Sequence, residues 1–271
     1  MNVGDLEVNR LGFGAMRITG EGIWGPPADH DEALRVLRRA VELDVQLIDT
    51  ADAYGPEVSE QLIAEALHPY PEGVLIATKG GLTRTGPGQW PRDGRPEHLR
   101  EACEGSLRRL RVDQIDLYQL HSPDDKVPYE ESVGALVELK EEGKIARIGV
   151  SNVDAGQLAT ARDLTEVVSV QNRFNLSDRS NEDVLETCTD DGIAFLPWFP
   201  LGAGTPADLA SEIAEDRGVN AHQVAIAWLL ARSPVIAPIP GTSSVDHLNQ
   251  NVAAAELELT DEELDRLSKA A

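Results

Sequence analysis

The sequence predicts an α/β protein, a (β/α)8 TIM barrel with two extra helices, in a single domain spanning residues 1–271. Three observations carry that expectation. Short apolar runs recur along the whole chain, stretches with helical apolar spacing separate them, and 271 residues is a length that such barrels fill with one core. Strands alternating with helices pair in parallel through right-handed crossovers, and eight such units close on themselves. An open, doubly wound sheet is the alternative.

The strand candidates are residues 11–16, 47–49, 74–78, 115–121, 145–151, 167–172, 193–197 and 235–240, eight in all. Between them, DEALRVLRRAVEL from Asp31, PEHLREACEGSLRRL from Pro96 and YEESVGALVELKEEG from Tyr129 place apolar residues three or four apart. Pro96 suits a first helical turn and Gly143 a helix C-terminus. Two segments exceed the barrel's need. One is AHQVAIAWLLAR from Ala221; the other is the terminal TDEELDRLSKA, where Thr260 and Glu263 have the spacing of a capping box.

Composition narrows the function. The chain has 24 Lys and Arg against 47 Asp and Glu, a net charge of −23. Nucleic acid and anionic membranes are therefore excluded as partners, and the acid is dispersed as a solvated surface rather than held in a tail. No stretch is long and apolar enough to span a bilayer, and the start MNVGDLEVNR has no signal-like apolar region, so the protein is read as cytoplasmic. Cys103 and Cys188 are too few for a disulfide scaffold or a zinc cluster and are expected to be buried thiols. The acid excess is like that of proteins from salt-accumulating halophiles, and molar potassium chloride should stabilise the fold by screening carboxylate repulsion.

The chemistry lies at the ends of the strands, which converge on one face of a barrel. LIDTADAYG brings Asp49 and Tyr54, LIATKGG brings Lys79 and DLYQLHSPD brings His121. Singly these are a turn residue, a packing aromatic, a surface charge and a core imidazole. On three successive strand ends they form a set of four titratable groups.

The ordered combination IDTADAYG, ATKGG, DLYQLHSPD, IGVSN, VQNRFN, PWFPLGAG and IPGTSSVDHLNQN resembles the aldo-keto reductase family over nearly the whole chain. Within it, LGFGAMR, GIWGPP, the short loops and IPGTSSVDHL are most similar to the bacterial pyridoxal reductase type. The resemblance implies a nicotinamide-dependent carbonyl reductase whose catalytic tetrad is Asp49, Tyr54, Lys79 and His121. Hydride arriving at a carbonyl carbon leaves charge on oxygen, and Tyr54 would supply the proton. The Lys79 ammonium is expected to acidify the tyrosine, Asp49 to hold the lysine charged, and His121 to orient and polarise the carbonyl.

The resemblance also implies a cofactor site. Ser151, Asn152 and Gln171 offer hydroxyl and amide groups for the nicotinamide carboxamide, and Trp198 stands where the family places an aromatic ring on the nicotinamide. Met16, Leu201 and Gly241 complete that site, while Thr242, Ser243, Ser244, His247, Gln250 and Asn251 lie where a helix start would favour phosphate. Residues 241–251 contain no Lys or Arg, unlike many relatives, so NADPH is the expected cofactor with NADH left open. Trp24, Trp90 and Phe199 are the substrate-pocket candidates, and the pocket is expected to be open, without the C-terminal loop that walls it in some relatives. A small aldehyde or ketone, pyridoxal among the candidates, is the implied substrate; oligomeric state is not readable. Two other readings stay open: a cofactor-binding regulatory subunit on the same barrel, and an aldolase using Lys79 as a Schiff-base lysine, which the carboxylate of Asp49 argues against.

Overall fold

The structure, a computed structural model, describes residues 1–202 and 206–269. Seven parallel strands form one curled sheet in chain order: β3 (Phe13–Gly14), β4 (Leu47–Asp49), β5 (Leu75–Gly80), β6 (Ile115–Leu120), β7 (Ile145–Ser151), β8 (Val167–Gln171) and β9 (Ala194–Phe195). They are preceded by a small antiparallel hairpin, β1 (Asn2–Val3) and β2 (Leu6–Glu7), which the sequence reading did not anticipate. The chain folds as a (β/α)8 barrel, and residues 235–240 close it. Ala237 N–H donates to Phe195 O at 2.9 Å, while Gly12 N–H and Gly14 N–H donate to the carbonyls of Pro238 and Pro240 at 2.9 and 3.3 Å.

That closing segment differs from the regular strand expected there. Pro238 and Pro240 have no N–H, so toward β3 the segment can only accept. The first expected strand is also shortened: residues 15–18 coil into a 3-10 turn (Ala15–Ile18), which places Met16 in the turn rather than in the sheet.

The helices follow the predicted alternation: α1 (His30–Glu42), α2 (Val58–Leu67), α3 (Pro96–Leu110), α4 (Tyr129–Glu141), α5 (Ala155–Leu164), α6 (Glu182–Asp191), α7 (Pro206–Arg217), α8 (Ala221–Arg232), α9 (Val245–Ala253) and α10 (Asp261–Lys269). Pro96 opens α3, and Gly143 follows α4 with a φ of +77°, a left-handed position that glycine takes without strain. Thr260 N–H donates to Glu263 Oε2 at 2.7 Å and Glu263 N–H returns a bond to Thr260 Oγ1 at 3.3 Å, the expected capping box. Among the described residues two helices exceed the barrel's eight, but they are α7 and α10, which pack against each other. The helix from Ala221, α8, packs inward instead: its buried Trp228 stacks on Phe174 at 6.0 Å, which in turn meets Phe195 of β9.

The barrel interior is layered by strand alternation. At the N-terminal end Leu47, Leu75, Leu117, Val168 and Ala194 pack with Val3 of the hairpin into an apolar floor. Farther along the same strands the inward positions are Asp49 and Gln119, two residues beyond Leu47 and Leu117, Lys79, two beyond Ala77, and Gln171, which follows a register irregularity between β7 and β8. Outward residues Ile48, Ile76, Tyr118 and Val170 bury against the helices.

Candidate active site

Alternation alone carries Asp49 and Lys79 inward, because each is two residues beyond an inward leucine or alanine on β4 or β5. Both are buried, with Lys79 fully so. The ammonium spends its three donors on Asp49 Oδ2 at 2.8 Å, Thr50 O at 2.7 Å and Tyr54 Oη at 3.4 Å. On its other side Asp49 Oδ1 accepts from Gln171 Nε2 at 2.8 Å and Gln119 Nε2 at 3.4 Å. A buried ion pair is tolerable only when its remaining lone pairs and protons are satisfied, and both amides meet that need. Gln119 escaped the sequence reading, although a glutamine two positions before His121 in an apolar strand is its signature.

Tyr54 rides on the loop after β4, which is tied down by Thr50 Oγ1 donating to Ser59 Oγ at 2.8 Å and Ser59 Oγ donating to Ala15 O at 3.0 Å. Its ring meets His121 edge-on at 5.8 Å and Trp90 edge-on at 6.3 Å. The four side chains are therefore brought together, but their electrostatics differ from expectation. Burial raises the Tyr54 hydroxyl above its ordinary pKa and outweighs the lowering by Lys79, so the side chain is a neutral phenol at neutral pH. Lys79 is itself raised: burial opposes its charge, but Asp49 and Tyr54 together overcome that cost. His121 is lowered well below the usual imidazole value by burial and by the nearby ammonium, which keeps it neutral, and its Nδ1 is buried with no partner among the described residues.

A cleft of about 430 Å³ opens over this cluster, in the range of small-molecule sites. It is lined by the tetrad members Asp49, Tyr54 and His121 and by the expected cofactor residues Met16, Ser151, Asn152, Gln171, Trp198, Leu201 and Gly241. Trp90 and Phe199 line it as well. Its polar residues form one chain: Trp198 Nε1 donates to Asn152 Oδ1 at 2.9 Å, Asn152 Nδ2 donates to His121 O at 2.9 Å and Ser151 Oγ at 3.1 Å, and Ser151 Oγ donates to Gln171 O at 2.6 Å. Asn152 sits at a φ of +58°, a left-handed position in which Asn is one of the few comfortable residues.

Other predicted residues stand elsewhere. Thr242 and Ser243 line a neighbouring depression together with Gly241 and Arg17. Ser244 is the N-cap of α9, its hydroxyl accepting from His247 N–H at 3.4 Å, and Gln250 accepts from Asn220 at 3.0 Å; these two are occupied with structure. Asn251 is buried within α9. Trp24 does not line the cleft: it bridges Gly55 through its backbone and its ring packs near Arg84. The last residues of PWFPLGAG, Ala203 and Gly204, lie outside the described residues. Cys103 and Cys188 are buried and unpaired, each thiol pushed up to about 12 by burial, as structural cysteines should be. Among the described residues no cluster of metal-ligating side chains occurs, and no helix is long and apolar enough to cross a membrane.

Residues 10–271 match the Aldo/keto reductase family. An uncharacterised oxidoreductase of Schizosaccharomyces pombe is 49% identical, covering 99% of this chain and 89% of its own. Pyridoxine 4-dehydrogenase of Escherichia coli is 43% identical, covering 98% and 96%. Among solved structures, a thermostable aldo-keto reductase, Tm1743, superposes with a TM-score of 0.86 at 31% identity, covering 98% of this chain and 97% of its own. An aldo-keto reductase from Klebsiella pneumoniae in complex with NADP and acetate gives 0.79 at 28% identity, covering 97% and 91%. Likeness of this extent, reached independently through sequence and through fold, leaves one conclusion: the chain belongs to the aldo/keto reductase family, the NAD(P)H-dependent oxidoreductases of carbonyl and alcohol groups.

Proposed function

We propose that this protein reduces small aldehydes and ketones with NADPH, pyridoxal among them, and that Tyr54 gives the proton. One observation carries the reading: a neutral, buried phenol lies 3.4 Å from a buried ammonium and beside a neutral imidazole, on the wall of a cleft. The 43% identity to pyridoxine 4-dehydrogenase supports pyridoxal as the substrate to test first.

The cleft's donor set fits a nicotinamide. Gln171 gives one N–H to Asp49 and, among the described residues, keeps its carbonyl oxygen and second N–H, a complement for a carboxamide. The Trp198 indole is fixed at its N–H by Asn152 and presents a ring to the cleft. A nicotinamide held by these residues would supply the hydride for the carbonyl carbon. Tyr54 then donates its proton to the carbonyl oxygen as charge develops there. Lys79 stabilises the tyrosinate left behind, and Asp49 keeps Lys79 from having to relinquish its own charge. His121, neutral, orients the carbonyl oxygen toward Tyr54. The Schiff-base alternative requires a free amine on Lys79, whereas its three donors are committed and its pKa is raised.

For the cofactor's phosphates, Arg17 supplies the positive charge that residues 241–251 lack. Its Cγ lies 3.4 Å from where a Cβ on Gly241 would stand, and its guanidinium has no ion pair among the described residues. This supports NADPH, as does the NADP complex of the Klebsiella relative. The test is the loss of nicotinamide absorbance with NADPH and with NADH over a panel of aldehydes including pyridoxal. Aldehyde-dependent oxidation, faster with NADPH, is expected; no oxidation of either cofactor with any aldehyde would reject the reading.

A further inference from the structure

Arg84 lies in the long stretch between β5 and α3 and has no part in the chemistry above. Its guanidinium gives every N–H to a backbone carbonyl. Nε donates to Gln89 O at 3.1 Å, Nη1 to Ile23 O at 2.7 Å and Ala53 O at 3.0 Å, and Nη2 to Gly22 O at 3.1 Å and Gly86 O at 3.4 Å. Those carbonyls belong to three separate segments: the loop after β3, the loop that bears Tyr54, and Arg84's own loop. Two of these acceptors, Gly22 and Ile23, sit in a kinked 3-10 turn (Glu21–Ile23) at φ of +67° and +56°.

The face of the same group is also in use. Its Cζ lies 3.7 Å from the centre of the Trp90 ring and 5.5 Å from that of Trp24. Trp90 in turn stands edge-on to Tyr54 and lines the cleft beside Leu82. A planar, five-donor fork holds its acceptors in fixed directions, which the three donors of a lysine on a flexible stem cannot do. The cation is thus consumed within the wall: among the described residues lining the cleft, Arg17 is the only Arg or Lys, and it stands beside Gly241.

We infer that Arg84 is a positioning residue that pins Trp90 against Tyr54 and so preforms an aromatic wall of two nearly perpendicular rings, making the site selective for planar, uncharged aromatic aldehydes over small aliphatic ones. This deepens the reductase reading and rests on it. Although Arg84 also binds the carbonyl of Ala53, Tyr54 is held without it, by Lys79 at its hydroxyl and by Ala51 O and Ser59 N–H at its backbone, so loss of Arg84 frees the wall while the proton donor stays in place.

The experiment measures kcat and KM of the full-length protein with benzaldehyde and with propanal at saturating NADPH, for wild type, Arg84→Lys and Arg84→Gln. The selectivity ratio, kcat/KM for benzaldehyde over propanal, should fall about fivefold or more in both variants, through KM, in line with the worth of one aromatic contact. NADPH affinity by fluorescence titration should be unchanged. An equal fall for both aldehydes, or an unchanged ratio, would overturn the inference and leave the reductase reading intact. A wild type that oxidises neither NADPH nor NADH with these aldehydes or with pyridoxal would reject the reductase reading itself. If the Arg84 variants do not fold, Trp90→Ala decides: it should lose the same selectivity, and an unaltered ratio there refutes the preformed wall.

Discussion

The two sides of the cleft are held in opposite ways. On the barrel side, side chains mostly bind side chains: Lys79, Asp49, Gln119 and Gln171 project from four strands of one sheet, and their placement follows from strand alternation and register. On the loop side, one side chain binds backbone: Arg84 gathers the carbonyls of three irregular segments, and Trp90 rests on it. The difference teaches where each kind of specificity resides. Reaction chemistry depends on rigid elements that a single register sets, and choice of substrate depends on loops that a single arginine organises.

The largest effect should come from breaking the barrel side at the reacting atom. Tyr54→Phe removes the proton and little else, so turnover should fall about 10²- to 10⁴-fold, the usual worth of general-acid catalysis. NADPH affinity should stay nearly constant. Retention of more than about a tenth of wild-type turnover would show that another group gives the proton.

The next effect is on stability. Asp49→Leu leaves Lys79 buried with an uncompensated charge, which should cost about 3–5 kcal/mol in denaturant unfolding. Adding Lys79→Met removes that charge and should recover most of the loss, because an apolar pair of similar size tolerates burial. A double variant as unstable as the sum of the two single ones would mean that the pair is not the unit holding this layer.

The smallest effect separates the buried cluster from the surface. With 47 Asp and Glu against 24 Lys and Arg, carboxylate repulsion opposes compactness, and salt at 1 M shortens its reach to about 3 Å. Exposed ion pairs such as Arg162–Asp191 at 2.8 Å weaken at the same time, but each is worth only about 0–1 kcal/mol. The thermal midpoint should therefore rise by a few degrees from dilute buffer to molar potassium chloride. A flat or falling midpoint would mark an ordinary acidic protein rather than one adapted to salt.

How much of this the sequence disclosed follows the same division. Asp49, Lys79 and His121 were legible because period-two alternation and a strand end are both visible in a one-dimensional string, and Tyr54 followed from the motif. The closing segment 235–240 read as a strand because its apolar residues have the right spacing, yet Pro238 and Pro240 remove the donors a full ladder needs. The role of Arg84 was invisible: its partners are carbonyls, which carry no residue identity, and they come from segments as far as 62 residues away. Residue type alone points Trp24 to the pocket, whereas its three-dimensional placement sets its ring beside Arg84 and out of the cleft lining. The direction of the Tyr54 shift was also out of reach, since it turns on burial, which outweighs the neighbouring ammonium.

The central claim, a buried phenol that keeps its proton until the carbonyl oxygen takes it, is tested most directly by the alkaline side of the pH profile. Reduction needs Tyr54 protonated, and its pKa lies above the ordinary tyrosine value of about 10. The kcat/KM for aldehyde reduction should therefore stay level from pH 7 to about 9 and fall only above about 10. A fall centred near or below pH 8, absent from a Tyr54→Phe background, would contradict it and restore an acidified tyrosine.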